Sequence, residues 1–176
     1  PLLDLKGLLP EEEIQSLIDR IVSRGGMVKN LHGQKNLYYQ VNATYYSALG
    51  ESDEKMLLAR AIQMFMPGKP QVWYLDLFAG KNDHEAVRRA GESGHKEINR
   101  TNLSTDQIAE DLKKDVVQKQ LALIRMRNTH KAFSEGAEVA ISGGESSLQI
   151  RWEYNSAFAT LNVNFESGTY TIVESR

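Results

Sequence analysis

The sequence contains no cysteine among its 176 residues. Disulfide bonds, thiolate nucleophiles and cysteine-based zinc sites are therefore excluded. The four histidines include no pair spaced four residues apart, so the sequence predicts no metal site, and we expect no cofactor. A chain without cysteine also fits a cytoplasmic origin, which we expect here.

Long apolar runs and an excess of one charge are missing as well. No stretch approaches about 18 consecutive apolar residues, the length that a membrane-spanning helix needs. The 21 basic and 23 acidic residues nearly cancel, leaving a net charge of −2, which provides no basic surface for nucleic acid. The sequence thus predicts neither a membrane nor a nucleic-acid partner.

The size and the first residues of the chain suggest a piece of something larger. A complete eight-stranded α/β barrel takes about 250 residues, and this chain has 176. It opens on Pro1 rather than methionine and continues at full apolar density. We therefore expect a processed or excised fragment.

Several segments have the pattern of amphipathic helices. One starts after Pro10 with three glutamates in its first turn, which complement the positive end of the helix dipole. Ser52 and Ser104 each precede a further helix as N-cap residues, and Asp115 opens another that runs to about Asn128. These helices lie in the first 135 residues.

The stretch from Gln71 to Leu77 is a short run of β-formers with apolar side chains pointing both ways. Such a run predicts a strand covered on both faces, as in a parallel sheet wrapped by helices. Asn82 or Asp83 can cap the helix that follows. Loops after strands of this kind bind ligands in α/β folds, although an ordinary buried strand with a turn has the same pattern.

Two polar segments are candidates for binding. Residues 27–50 are rich in tyrosine, asparagine and glutamine without a clear period, which suits a sugar but equally a loop that fills a gap between elements. Residues 91–103 gather cationic, acidic and amide side chains that could bind an anion or a polyol, or form a solvated turn: His95, Lys96, Glu97, Asn99 and Arg100.

From residue 136 the apolar period changes from helix to strand. Leu148 to Asn155 and Leu161 to Phe165 alternate apolar and polar side chains. Ala137 to Ile141 and Thr169 to Val173 complete a predicted four-stranded antiparallel sheet with one polar face.

Four motifs stand out by their order and spacing: Tyr39 to Gly50, Pro67 to Tyr74, Leu77 to Asp83 and Glu97 to Arg100. Together they resemble sucrose phosphorylase and its close relatives in the α-amylase superfamily, including those that act on glucosylglycerate and on sucrose 6'-phosphate. The resemblance covers nearly the whole chain.

The resemblance implies an α+β chain: the last part of a (β/α)8 barrel followed by a small antiparallel β domain. Residues 1–50 would follow barrel strand seven and include the substrate loop. Residues 51–135 would supply helix seven, strand eight (Gln71 to Leu75) and helix eight. Residues 136–176 would form the C-terminal β domain.

The resemblance also implies a chemistry. Family members are retaining glucosyl phosphorylases, which transfer glucose from an α-glucoside to inorganic phosphate and release α-glucose 1-phosphate. Their catalytic carboxylates lie upstream of the segment that matches Pro1, and Asp4, Asp76 and Asp83 are not at catalytic positions. We therefore expect no catalytic residue here, no turnover from this chain alone, and a sugar and phosphate as ligands of the full-length protein.

Substrate contacts are carried over by position from the same resemblance. Tyr39 and Gln40 match the sucrose phosphorylase pattern. Leu37 replaces an aspartate of those enzymes, Tyr38 a leucine, and Lys96 an arginine that contacts the glucose unit. A lysine offers a point charge instead of a planar fork. These departures favour the glucosylglycerate or sugar-phosphate branches over sucrose.

A second reading of the chain is a stand-alone, non-catalytic module that binds a sugar or a protein. Part of a barrel, by contrast, exposes strand edges and apolar faces that would pack on missing strands. The fragment hypothesis therefore predicts that the isolated chain self-associates or that its residues 1–50 rearrange.

Overall fold

The computed structural model of the protein describes residues 3–30 and 38–175. Its helices are α1 (Glu11–Ser23), α2 (Tyr45–Ala48), α3 (Asp53–Phe65), α4 (Tyr74–Leu77), α5 (His84–Ala90), α6 (Thr105–Asp111) and α7 (Asp115–Thr129). Short 3-10 helices cover Leu3–Leu5, Gly91–Asn99 and Lys131–Phe133. The strands are β1 (Met27–Asn30), β2 (Tyr38–Asn42), β3 (Glu138–Gly144), β4 (Ser147–Tyr154), β5 (Ala157–Asn164) and β6 (Thr169–Glu174).

Contacts divide the chain into two compact units. The first unit comprises residues 1–52 and 73–109, and the second comprises residues 53–72 and 110–176. Each unit is therefore built from two separate stretches of the chain.

In the first unit, α1 has the predicted form. Its first turn carries Glu11, Glu12 and Glu13, and its inner face buries Ile14 and Ile18. The helix ends where the Arg24 N–H bonds to the Ile21 carbonyl oxygen and Gly25 takes a φ of 83°, a left-handed conformation that suits glycine.

Residues 27–50, predicted as a loop without a period, contain a β-hairpin and a short helix. β1 and β2 pair antiparallel, with Met27 opposite Asn42 and Lys29 opposite Gln40. The alternation in β2 was hard to see because it is confined to four residues, in which Gln40 and Asn42 alternate with Tyr39 and Val41. The loop prediction was wrong for these parts of the segment.

The strand predicted over Gln71–Leu75 is absent from the structure. Residues 71–73 have no regular secondary structure, and Tyr74–Leu77 form α4. A strand needs a neighbouring strand to receive its backbone hydrogen bonds. In this segment, backbone N–H groups instead bond to carbonyl oxygens a few residues earlier in the chain. The Leu77 N–H reaches the Trp73 oxygen at 3.0 Å and the Gly80 N–H reaches the Leu75 oxygen at 2.8 Å.

The helix predicted near residues 82–90 is α5, and Asp83 is its N-cap. The Asp83 carboxylate accepts from the Ala86 N–H at 2.8 Å. The next stretch, predicted as a loop, is instead the 3-10 helix Gly91–Asn99, in which Ile98 is fully buried.

The second unit packs α3, α7 and Lys131–Phe133 against a four-stranded sheet. The sheet has the predicted meander, β3-β4-β5-β6, with every pair antiparallel. One of its faces joins the core of the unit, which includes Phe65 and the sheet residues Ile150, Trp152 and Leu161. The other face carries polar pairs such as Gln149 and Asn162, joined at 2.7 Å, as the alternation predicts.

Two further observations concern sites and membranes. Within residues 3–30 and 38–175, no group of three or more histidines, carboxylates or cysteines is placed to bind a metal. No helix in the same ranges combines the length and apolar character needed to cross a membrane.

Candidate functional site

A polar pocket of about 350 Å³ lies in the first unit. Volumes of this order accommodate small ligands. Side chains from β2, from the segment around α4 and from the end of the 3-10 helix line the pocket: Gln40, Asn42, Trp73, Asp76, Lys96, Asn99 and Arg100.

Gln40 and Asn42 form what we call the amide wall of the pocket. They are two residues apart on β2, and alternate residues of a strand point to the same face. The Gln40 Oε1 and the Asn42 Nδ2 are buried and have no hydrogen-bond partner among the described residues. Buried polar atoms are normally bonded, so this acceptor and this donor need a partner that the described residues do not supply.

Lys96 and Arg100 form the cationic wall. Both belong to the segment at the end of the Gly91–Asn99 helix, and Arg100 has an exposed ion pair with Glu97 at 3.6 Å. Burial lowers the pKa of the neighbouring His95, and the positive charges of Lys29, Lys96 and Arg100 lower it further. The positive field of this wall favours an anionic ligand.

In the sequence, Trp73 and Asp76 lie between the residues that form the two walls. The Trp73 indole is 49% exposed and donates its N–H to the Asn99 carbonyl oxygen at 3.0 Å. Asp76 accepts from the Tyr45 N–H at 2.8 Å, at the first turn of α2. An indole face beside amides and a carboxylate suits the apolar faces and hydroxyl groups of a sugar.

The pocket can bind a polar, negatively charged ligand, but its described residues lack a pair of carboxylates. Asp76 is the one carboxylate among the lining side chains, and retaining glycoside chemistry uses two carboxyl groups about 5 Å apart.

The structure brings two of the predicted site residues together, since Gln40 and Lys96 line the same pocket. Tyr38 and Tyr39 belong to β2 by their backbones, and their side chains lie outside what the structure describes, as does Leu37. Whether these five residues contact a substrate stays a prediction.

Sequence reasoning missed three lining residues, Asn42, Trp73 and Asp76. Asn42 could have been found from its spacing of two from Gln40, had residues 38–42 been identified as a strand. Trp73 and Asp76 were predicted to lie in a strand buried on both faces. Residues of such a strand are not expected to line a pocket.

No protein-family model matches the chain. The chain is 51% identical over 181 residues to the sucrose 6(F)-phosphate phosphorylase of Ilumatobacter coccineus, a match that covers 98% of this chain and 34% of that protein. It is 37% identical to the glucosylglycerol phosphorylase of Marinobacter adhaerens, over 98% of this chain and 37% of that protein. The sucrose phosphorylase of Bifidobacterium adolescentis is 38% identical over 93% of this chain and 33% of its own length.

A solved structure agrees with these matches. The crystal structure of sucrose 6F-phosphate phosphorylase from Thermoanaerobacter thermosaccharolyticum superimposes with a TM-score of 0.91 at 37% identity, covering 98% of this chain and 34% of that one. The chain thus spans about a third of the length of these relatives.

Proposed function

Since the chain is homologous over nearly its whole length to the sucrose phosphorylases and their relatives in the α-amylase superfamily, we propose that it is the C-terminal part of a retaining glucosyl phosphorylase. The whole enzyme transfers glucose from an α-glucoside to inorganic phosphate and yields α-glucose 1-phosphate. In this proposal α3 and α7 are helices seven and eight of the barrel, and the sheet β3–β6 is the C-terminal domain. The observation that carries it is the 51% identity to a phosphorylase over 98% of the chain.

We further propose that this segment binds substrate and that the rest of the protein supplies the catalytic carboxylates. The single carboxylate of the pocket supports this division, because a retaining mechanism needs two. The side-chain amides of Gln40 and Asn42, which line the pocket, are of the type that bonds to sugar hydroxyl groups or phosphate oxygens.

The preferred substrate in this proposal is a glucoside whose leaving group carries a negative charge, with sucrose 6'-phosphate first. Lys96 and Arg100 line the pocket and Lys29 adds to the positive field there. A relative named for sucrose 6(F)-phosphate supports the same choice. Charge-assisted bonds to a phosphate are about twice as strong as neutral ones.

The test is phosphorolysis by the full-length protein, with glucose 1-phosphate as the measured product. The substrates are sucrose 6'-phosphate, glucosylglycerate, glucosylglycerol and sucrose. We expect the highest kcat/KM for sucrose 6'-phosphate, and no product from the 176-residue chain alone. Absence of glucose 1-phosphate with all four glucosides would refute the proposal.

Gln40→Ala in the full-length protein should lower kcat/KM about 10- to 100-fold, because contacts that position a substrate are strongest in the transition state. The same reduction is expected for Tyr39→Ala. Glu12→Ala is the control for both variants, since Glu12 is an exposed residue of α1 that does not line the pocket. Wild-type rates for both the Gln40 and the Tyr39 variants would remove β2 from the substrate site.

A further inference from the structure

The two walls of the pocket are attached to one short stretch of chain, Asn82 and Asp83. Neither residue lines the pocket. Asn82 bonds to the segment after β2 and to the end of α1. Asp83 bonds to the segment that contains Lys96 and Arg100 and to the first turn of α5.

Asn82 is bonded to the segment after β2 at two points and to the end of α1 at a third. Its Oδ1 accepts from the Thr44 N–H at 2.7 Å, and its own N–H donates to the Ser47 Oγ at 3.0 Å. Its Nδ2 donates to the Arg24 oxygen at 3.5 Å. Thr44 and Ser47 are almost completely buried, and Thr44 is two residues beyond Asn42. A change at Asn82 is therefore transmitted to the end of β2.

Asp83 is bonded to the cationic-wall side. Its N–H donates to the Ile98 oxygen at 2.9 Å, and its Oδ2 accepts from the Thr101 hydroxyl at 3.1 Å. The Thr101 oxygen in turn accepts from the Tyr74 hydroxyl at 2.7 Å. These bonds fix the chain on both sides of Arg100, while Oδ1 of Asp83 is used for the cap of α5.

We propose that Asn82 and Asp83 are positioning residues that set the two walls separately: Asn82 places the amide wall and Asp83 places the cationic wall. This inference rests on the proposed function. Displacement of a binding group by about 1 Å can cost about 100-fold in rate, so each residue affects catalysis without contacting the substrate.

The two roles differ in their expected selectivity. Asp83→Ala should raise KM for sucrose 6'-phosphate at least about 10-fold more than KM for sucrose, because sucrose 6'-phosphate is the one of these two glucosides that brings a negative charge to the cations. Asn82→Ala should lower kcat/KM for both glucosides by the same factor of about 10 to 100. The amide wall that Asn82 places carries no charge, so it does not distinguish the phosphorylated glucoside from the neutral one. A general loss of folded enzyme would lower kcat for both and leave KM unchanged.

Conservative variants test the contacts themselves. Asn82→Asp retains the acceptor for Thr44, and Asp83→Asn retains an acceptor for the cap, so each should stay within about 3-fold of wild type. Thr101→Val removes the Oδ2 contact and leaves the cap of α5 intact, so it should reproduce the selectivity of Asp83→Ala.

Lys81→Ala is the neighbouring control, because Lys81 forms an exposed ion pair with Glu51 at 2.5 Å and such pairs contribute little.

Hydrogen–deuterium exchange on the full-length variants gives a readout that does not depend on activity. Asn82→Ala should speed exchange in residues 42–48 and not in residues 94–101. Asp83→Ala should speed exchange in residues 94–101 and in the helix α5 that it caps, and not in residues 42–48. Lys81→Ala should change none of these segments. Faster exchange in both segments from either variant, or a loosened segment with wild-type kinetics, would overturn the proposal. If the wild-type protein forms no glucose 1-phosphate, the proposed function fails, and the exchange pattern alone decides the positioning roles.

Discussion

At the scale of single residues, Arg127 shows how one side chain can tie several pieces of the second unit together. Its guanidinium lies 4.7 Å from the Phe133 ring centre and 4.2 Å from that of Trp152. One of its nitrogens donates to the Gly68 oxygen at 2.8 Å. Burial lowers the pKa of Arg127, because it removes water from the charged group. The two rings and the Gly68 carbonyl oxygen replace part of that water.

Arg127→Lys should therefore destabilise the protein by about 1–2 kcal/mol, because an ammonium cannot stack over the two rings as a planar guanidinium does. Urea-induced unfolding followed by the fluorescence of Trp152 measures the change. Arg125→Lys, at an exposed position of the same helix, is the control and should change stability by less than about 0.5 kcal/mol. Equal effects of the two variants would show that the stacking does not contribute.

Another buried polar contact in the same unit joins two helices. Arg60 of α3 and Gln120 of α7 are both buried, and the Arg60 Nε donates to the Gln120 Oε1 at 2.9 Å. Neither residue is suggested by the apolar pattern of its helix. Buried polar pairs of this kind are found only once the helices are packed.

At the scale of elements, helix α5 depends on its first residue. It has seven residues, and isolated helices of this length are unstable in water. The hydrogen bond from the Ala86 N–H is the main cause of the lowered pKa of Asp83, and the Thr101 hydroxyl lowers it further. The cap is consequently strongest when the carboxylate is ionised.

The sign of the pH dependence follows from that lowered pKa. The contribution of Asp83 to stability is present above its unfolded pKa of about 3.9 and is lost as the pH falls through its lower folded pKa. We expect Asp83→Ala to cost about 1 kcal/mol at neutral pH. The difference in Tm between wild type and variant should shrink as the pH falls from about 5 to about 2. A constant difference across that range would contradict the role of the ionised carboxylate.

The elements also show where a strand depends on its neighbours. Residues 71–73 have β-forming side chains, yet the described chain offers them no adjacent strand and the backbone turns into α4. The strands β3 to β6 carry similar propensities and do form, because each follows its partner through a short turn. The β-propensity of a segment is therefore enough to predict a strand only when the strand that pairs with it is close in sequence.

At the scale of the whole molecule, apolar surface remains uncovered. In the first unit Leu8 is 76% exposed, and Leu17 and Val22 of α1 are 39% and 43% exposed. Contiguous exposed apolar surface marks a site of association. The proposed assignment to a larger barrel gives a reason for this exposure.

The isolated 176-residue chain should therefore self-associate at micromolar concentrations. Sedimentation velocity over a range of concentrations measures this, and the double variant Leu17→Gln with Val22→Gln should reduce the association. Glu12→Gln on the same helix is the control and should leave association unchanged. A strictly monomeric chain that unfolds cooperatively would instead favour a stand-alone binding module.

The sequence by itself determined the elements whose information is local. Caps and apolar spacing predicted α1, α3, α5 and α7, and alternation with short turns predicted the sheet β3–β6. Its motifs also predicted the relatives, as the 51% identity to a phosphorylase confirms. Each of these signals is contained within a few neighbouring residues.

The tertiary structure alone decided the pocket and the elements around it. Gln40 and Lys96 are distant in sequence, and what brings them to one cavity is the pairing of β1 with β2 and the bonds of Asn82 and Asp83. The hairpin, the 3-10 helix Gly91–Asn99 and the missing strand at residues 71–75 all depend on which backbone groups find partners elsewhere. Composition cannot reveal those partners, because hydrogen bonds between distant segments exist only after the chain has packed.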